Sequence, residues 1–188
     1  MADGDAVVPV INRVAPLFAN AVLTQDWHPA NHVSFAANHP GRQPFETMLL
    51  PYGEQVLWPI HCVQGTRDAA LHDDLQVPQA QLVIRKGFHP AVDSYSAFTE
   101  ADRKTTTGLA AYLLARGITS LYLCGLATDY CVAWSALDAR AAGFDVVVIE
   151  DACRAIDLNG SLEKAWADMA SAGVKRIQSS SILQGNLP

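Results

Sequence analysis

Five short apolar segments punctuate this chain: AVLT at 21–24, LVI at 82–84, LYLC at 121–124, VVVI at 146–149 and VKRI at 174–177. Strands too apolar to alternate must be covered on both faces, and a parallel sheet between two layers of helices provides that cover. Helical spacing supplies the layers. Helices are predicted over 7–20, where Val7, Val8, Ile11, Val14, Leu17 and Phe18 recur, over 107–116 before Gly117, over 130–142 before Gly143, and over 161–172 with Glu163 in the first turn. VKRI reads as an edge strand. From 25 to about 66 the chain is rich in Pro, Gly, Asn and His with little periodicity, so a long functional loop or insertion is expected. The expectation is one α/β domain over 1–188, a three-layer α/β/α sandwich with a mainly parallel sheet.

Composition narrows the function. Half the residues are hydrophobic and 17% are charged, enough for a sizeable core. A net charge of −6 argues against nucleic acid as a partner, because phosphate neutralisation needs a basic surface. No apolar run approaches the roughly 18 residues of a membrane span, and MADGDAVVPVIN has neither the basic start nor the apolar core of a signal peptide. A cytoplasmic protein with reduced thiols and a small polar or neutral substrate is expected. The oligomeric state, a homo-oligomer included, stays open.

In open α/β sheets, ligands sit beyond the carboxyl ends of the strands. Here those positions hold Asp26 and His28, Lys86, residues 125–131, and Glu150 with Asp151. Cys131 falls where strand LYLC turns into helix. Unpaired N–H groups and a positive dipole end there are expected to lower a thiol pKa, and can hold an oxyanion. Cys124, at the end of the strand, reads as a buried small hydrophobe. Lys86 reaches the same rim and could hold a thiolate, although a lone lysine after a strand is more often simply solvated. Asp129 is read as a cap rather than a base, since residues two apart on a helix do not share a face. Glu150 and Asp151 are read as helix-cap or structural residues.

Asp26 and His28, two apart on an extended segment, point the same way. With His32 and His61 they form a donor set suited to zinc, with manganese or iron as alternatives. His39, His72 and His89 lack such spacing and are expected at the surface.

Together TQDWHPANHVSF, WPIHCVQGT, VIRKG, DSYSAF and CGLATDYCV resemble the nicotinamidase/pyrazinamidases of the isochorismatase-like cysteine hydrolase superfamily, in order and over essentially the whole chain. The resemblance implies a Rossmann-like fold and hydrolysis of nicotinamide to nicotinate and ammonia through a cysteine thioester, in NAD salvage. It implies Cys131 as nucleophile and Lys86 as its triad lysine. It further implies an oxyanion hole from the N–H groups of Ala127 and Cys131 beside a cis Leu126–Ala127 bond, and Trp58 stacked on the pyridine ring. The metal ligands would be Asp26, His28 and His61, with His32 as candidate fourth.

One departure stands out. The family opens with an apolar strand ending in the aspartate that serves as general base, followed by a pocket-lining Gln-Asn-Asp-Phe stretch, and this chain has neither. Met1 is therefore expected to lie inside a longer protein, the alternative being a short, crippled version. The absent strand would belong in mid-sheet, so apolar surface and unpaired backbone are expected there. The rival functions are another amide or carbamoyl hydrolase of the superfamily, and a metal-binding remnant without turnover.

Overall fold

The computed structural model describes residues 3–185, so Met1, on which the expected start turns, lies outside the described residues. Strand β6 (Asp145–Arg154) organises the rest, because it is paired in parallel on both sides, with β5 (Ser120–Leu126) and β7 (Lys175–Ile177). Its residues 146–149 are all buried. Val146 and Val148 face a core shared with Leu113, Ala136, Phe144 and Met169, whereas Ile149 and Ala152 face a second core with Val14 and Ile182. Two faces, two cores: the near-continuous apolar run follows from burial on both sides.

Helices α2 (Leu109–Ala115), α3 (Ala133–Ala141) and α4 (Ser161–Ser171) form one outer layer; α1 (Val8–Val14) and the short α5 (Ser179–Leu183) form the other. Helix α3 buries Ala133, Ala136 and Ala139, whose i, i+3 spacing brings its backbone close to the sheet. The layered α/β/α arrangement read from the sequence is the one observed. A second parallel pair, β1 (Ala21–Asp26) and β4 (Ala80–Lys86), shares no ladder with β5–β6–β7 among the described residues. The mid-sheet strand that the family pattern calls for has no counterpart among those residues. Val83 and Leu126 are 46% and 43% exposed.

Several boundaries move. The first helix is confined to Val8–Val14, flanked by 3-10 turns, because Pro16 and the apolar run after it leave the helical repeat. The long loop contains an antiparallel hairpin, β2 (Thr47–Leu50) and β3 (Gly53–Val56), whose strands are too short to register as periodicity. Helix α5 is likewise unforeseen; Asp151 caps it, accepting from the Ser179 N–H at 2.7 Å. Glu150 accepts from Arg176 Nε at 2.7 Å and from Gln178 at 2.8 Å. Both acids are structural, as expected.

Asp129 caps a different element from its own. It is 6% exposed, and its carboxylate accepts from the N–H groups of Ile156 (3.0 Å) and Asp157 (2.7 Å) and from the Ser161 hydroxyl, tying the corner to the start of α4. Hydrogen bonds to a charged acceptor are worth more than neutral ones, and Ala would leave two part-buried N–H groups and the Ser161 hydroxyl without this acceptor. Asp129→Ala is expected to lower the unfolding free energy by about 3 kcal/mol in urea titration; a loss under about 0.5 kcal/mol, the range of an ordinary surface substitution, would contradict this role.

Candidate active site

Asp26 and Lys86 end adjacent parallel strands in register, so the pairing of β1 with β4 places carboxylate and ammonium side by side. Lys86 is 3% exposed. Its ammonium pairs with Asp26 and donates to the Ser94 carbonyl at 3.1 Å and to Cys131 Sγ at 3.2 Å. Three N–H donors meet three acceptors. Burial works to neutralise the lysine, but Asp26 and the Cys131 sulfur outweigh it and hold its pKa above the usual lysine range. Asp26 is balanced in the opposite sense. Burial pushes its carboxyl up, and the combined pull of Lys86, His28 and His61 keeps it below the usual carboxylate range.

Cys131 lies in a π-helical turn, Thr128–Val132, that leads into α3. The helix therefore begins before Tyr130, and both the Tyr130 and Val132 N–H groups converge on the Ala127 carbonyl. The Leu126–Ala127 peptide is cis. A lowered thiol pKa is not what the fold produces: burial pushes the Cys131 thiol up to about 11, against the pull of Lys86. Desolvation of the thiolate wins over one ammonium because Asp26 and Asp93 also stand nearby as negative charges. Cys124 is pushed up to about 11 by burial alone.

Beside this pair, one ligand atom from each of Asp26, His28 and His61 lies within 4.8 Å of the other two. His28 Nδ1 meets the Gly87 carbonyl at 2.8 Å, and His61 Nδ1 meets the Pro59 carbonyl at 2.8 Å. A carbonyl can only accept, so each Nδ1 carries a proton and each Nε2 is the nitrogen left for a metal. Burial holds His28 below its ordinary pKa, so its Nε2 is not protonated at neutral pH. One carboxylate and two imidazoles fit a divalent cation, and three protein donors with an open position is the pattern of catalytic zinc sites. Gly87 makes room for the ring: its φ is +64°, and a Cβ there would overlap His28.

His32 is placed differently from the other three predicted donors. It is fully buried and groups with His28 and Asp93. Its Nδ1 pairs with the Ser34 hydroxyl at 2.7 Å and accepts from the Ser34 N–H at 3.3 Å, while Nε2 faces the Val92 carbonyl at 3.3 Å. Both ring nitrogens are thus engaged. Of the three histidines expected at the surface, His72 and His89 are exposed, whereas His39 is half-buried with Nε2 2.7 Å from the Val33 carbonyl.

Trp58, 7% exposed, stands in a wall of aromatic rings, with centroids 4.8 Å from Tyr130 and 6.2 Å from Tyr95, both edge to face. Its indole N–H donates to the Tyr95 hydroxyl at 2.9 Å. Reasoning from strand ends alone missed Tyr95, Tyr130 and the buried Asp93. Tyr95 and Asp93 stand in DSYSAF, a loop segment without periodicity; the available signal was a run of polar and aromatic residues between apolar segments.

A parallel α/β protein carrying a lysine–cysteine pair, its lysine buried, and an adjacent cation-fitting triad is the class that fold and site define. The isochorismatase domain model matches residues 1–181, and the chain belongs to that family. It is 61% identical over 183 residues to a nicotinamidase of Acinetobacter baylyi, covering 97% of this chain and 86% of that protein. A solved nicotinamidase/pyrazinamidase of Acinetobacter baumanii superposes with a TM-score of 0.95 at 64% identity, covering 96% of this chain and 87% of the other. A pyrazinamidase of Pyrococcus horikoshii, solved in complex with zinc, superposes with a TM-score of 0.75 at 33% identity, covering 95% and 88%.

Thiolate is the form that alkylates, so the Cys131 titration can be followed directly. Labelling of Cys131 by iodoacetamide, read by peptide mass spectrometry, is expected to accelerate about tenfold per pH unit from pH 7 towards the thiol pKa of about 11. Lys86→Met removes the ammonium that pulls the thiol pKa down and should slow labelling at every pH in that range. Equal rates in the two proteins would mean that Lys86 does not act on the sulfur.

Proposed function

We propose that the protein is a nicotinamidase, an amidohydrolase that converts nicotinamide and water to nicotinate and ammonia, with Cys131 as nucleophile. The observation that carries this reading is the 3.2 Å contact between Lys86 Nζ and Cys131 Sγ beside the Asp26–His28–His61 cluster. Family membership and the nicotinamidase relatives support the substrate class. The small-molecule product is a pyridine acid, which suits NAD salvage. A cytoplasmic location agrees with four unpaired cysteines, and no helix among the described residues is long and apolar enough to cross a membrane.

In this reading Trp58 and its aromatic neighbours grip the pyridine ring, and the N–H groups of Ala127 and Cys131 face the carboxamide oxygen. Cys131 Sγ attacks the carboxamide carbon. The C–N bond then breaks, and ammonia leaves with the proton the thiol gives up. Water next cleaves the thioester, releasing nicotinate and returning the thiol. Lys86 stays charged throughout and holds the sulfur as it gains negative charge. Asp26, His28 and His61 would hold a divalent cation, zinc on this donor set with manganese or iron as alternatives; when bound it supplies a Lewis-acidic anchor for the ring nitrogen. His32, whose ring nitrogens are engaged by Ser34 and the Val92 carbonyl, is left out of this set.

Among the described residues no carboxylate is hydrogen-bonded to Cys131. Burial holds the thiol above the usual cysteine range, so little of it is ionised at neutral pH and the ionised fraction grows with pH. Ammonia release from nicotinamide by the zinc-loaded chain is therefore expected to rise between pH 7 and 10, and to fall at least a thousandfold in Cys131→Ala. Turnover that survives in Cys131→Ala overturns the nucleophile. Release from other amides but not from nicotinamide favours a different hydrolase of the family, and no release from any amide favours a metal-binding remnant.

The metal reading has its own test. Gly87→Ala displaces the His28 ring and is expected to weaken zinc binding about 10- to 100-fold in equilibrium dialysis, with an unchanged circular dichroism spectrum. Unaltered affinity would remove His28 from the ligand set.

A further inference from the structure

Gln55 lies on β3 of the hairpin, yet it is only 2% exposed. A buried neutral amide is costly unless its hydrogen bonds are made, and here they are made to one side of the candidate site. Its Nε2 lies 2.7 Å from the Val56 carbonyl, 2.8 Å from Asp93 Oδ2 and 3.0 Å from the Tyr95 hydroxyl. Its Oε1 accepts from the Tyr52 hydroxyl at 3.0 Å. A carboxylate and a carbonyl can only accept, so the amide has one workable orientation, nitrogen towards Asp93 and oxygen towards Tyr52. Asp93 is itself fixed, 2% exposed, with Oδ1 taking the Ser94 N–H at 2.8 Å. The amide nitrogen carries two hydrogens for these three acceptors, so one N–H is shared, and the Tyr95 oxygen takes part in that shared bond besides accepting from the Trp58 indole N–H.

We propose that Gln55 is a positioning residue for substrate binding: locked by Asp93, it fixes the Tyr95 hydroxyl and, through it, the plane of the Trp58 indole. This rests on the nicotinamidase reading, in which Trp58 grips the ring. Trp58 has no other hydrogen-bond partner for its N–H among the described residues, so its edge-to-face packing on Tyr130 depends on a tyrosine that Gln55 holds in place. A ring-binding wall built this way contributes through preorganisation. Loss of Gln55 should therefore raise KM and leave kcat nearly alone, because neither sulfur nor ammonium is touched.

The test uses the full chain labelled with 15N at tryptophan. Its four tryptophans give four indole N–H signals, and Trp58→Phe identifies the one concerned. In Gln55→Met the Trp58 indole proton is expected to exchange with solvent at least tenfold faster, with the signals of Trp27, Trp134 and Trp166 unmoved. KM for nicotinamide should rise about tenfold, kcat should stay within twofold, and bound zinc should be unchanged. In a Tyr95→Phe background the same substitution should add little, since the hydroxyl through which it acts is gone. If Gln55→Met fails to fold, Tyr52→Phe, which releases the amide oxygen, should show the same pattern at about a third of the size. Unchanged Trp58 exchange, an unchanged KM, or full additivity with Tyr95→Phe each overturns the proposal. A wild-type chain that releases no ammonia from nicotinamide overturns the nicotinamidase reading instead, and the indole signal alone then decides whether Gln55 positions Trp58.

Discussion

A single buried ammonium organises this protein's working end. Lys86 is almost wholly out of water, and a lone lysine there would lose its proton or open the structure. It remains charged because its three N–H groups are shared among the Asp26 carboxylate, the Ser94 carbonyl and the Cys131 sulfur, each brought from a different part of the chain. The β1–β4 register sets the first contact, the turn after β4 the second, and the corner between β5 and α3 the third. Remove any one and a buried charge is left short of a partner, the costly failure for a desolvated ion.

The same charge balance explains how one carboxylate can serve two neighbours. Asp26 lies between Lys86 on one side and His28 with His61 on the other, and all of them favour its ionised form. The histidines are in turn aimed by backbone carbonyls, with Gly87 supplying both the carbonyl and the empty space that the His28 ring needs. Cation cluster and thiol are therefore parts of one electrostatic unit, linked through Asp26. The unit favours charge on Lys86 and Asp26 more than on the sulfur, which burial keeps protonated at neutral pH.

Much of the architecture was legible in the chain, because strands buried on both faces cannot alternate and helices that cover them must. The run VVVI announced β6 for that reason, and Gly117 and Gly143 marked where helices end. The hairpin at 47–56 was not legible: its strands are four residues each, one partly exposed, and only pairing reveals them. At the site, Cys131, Lys86, Asp26 and the histidines could be picked out as reactive types at strand ends. Asp93 and Gln55 could not, since a polar residue in a loop or hairpin looks solvated until the fold buries it.

The sequence by itself determined the layered parallel architecture and the inventory of reactive side chains, both of which follow from local apolar patterning and residue chemistry. Only the tertiary structure decided how those side chains are charged and shared. It set Asp26 against Lys86, grouped His32 with His28 and Asp93, and raised the Cys131 thiol where a helix terminus alone would have lowered it. The physical reason is that proton affinity depends on desolvation and on charges within a few ångströms, and those neighbours come from segments scores of residues apart.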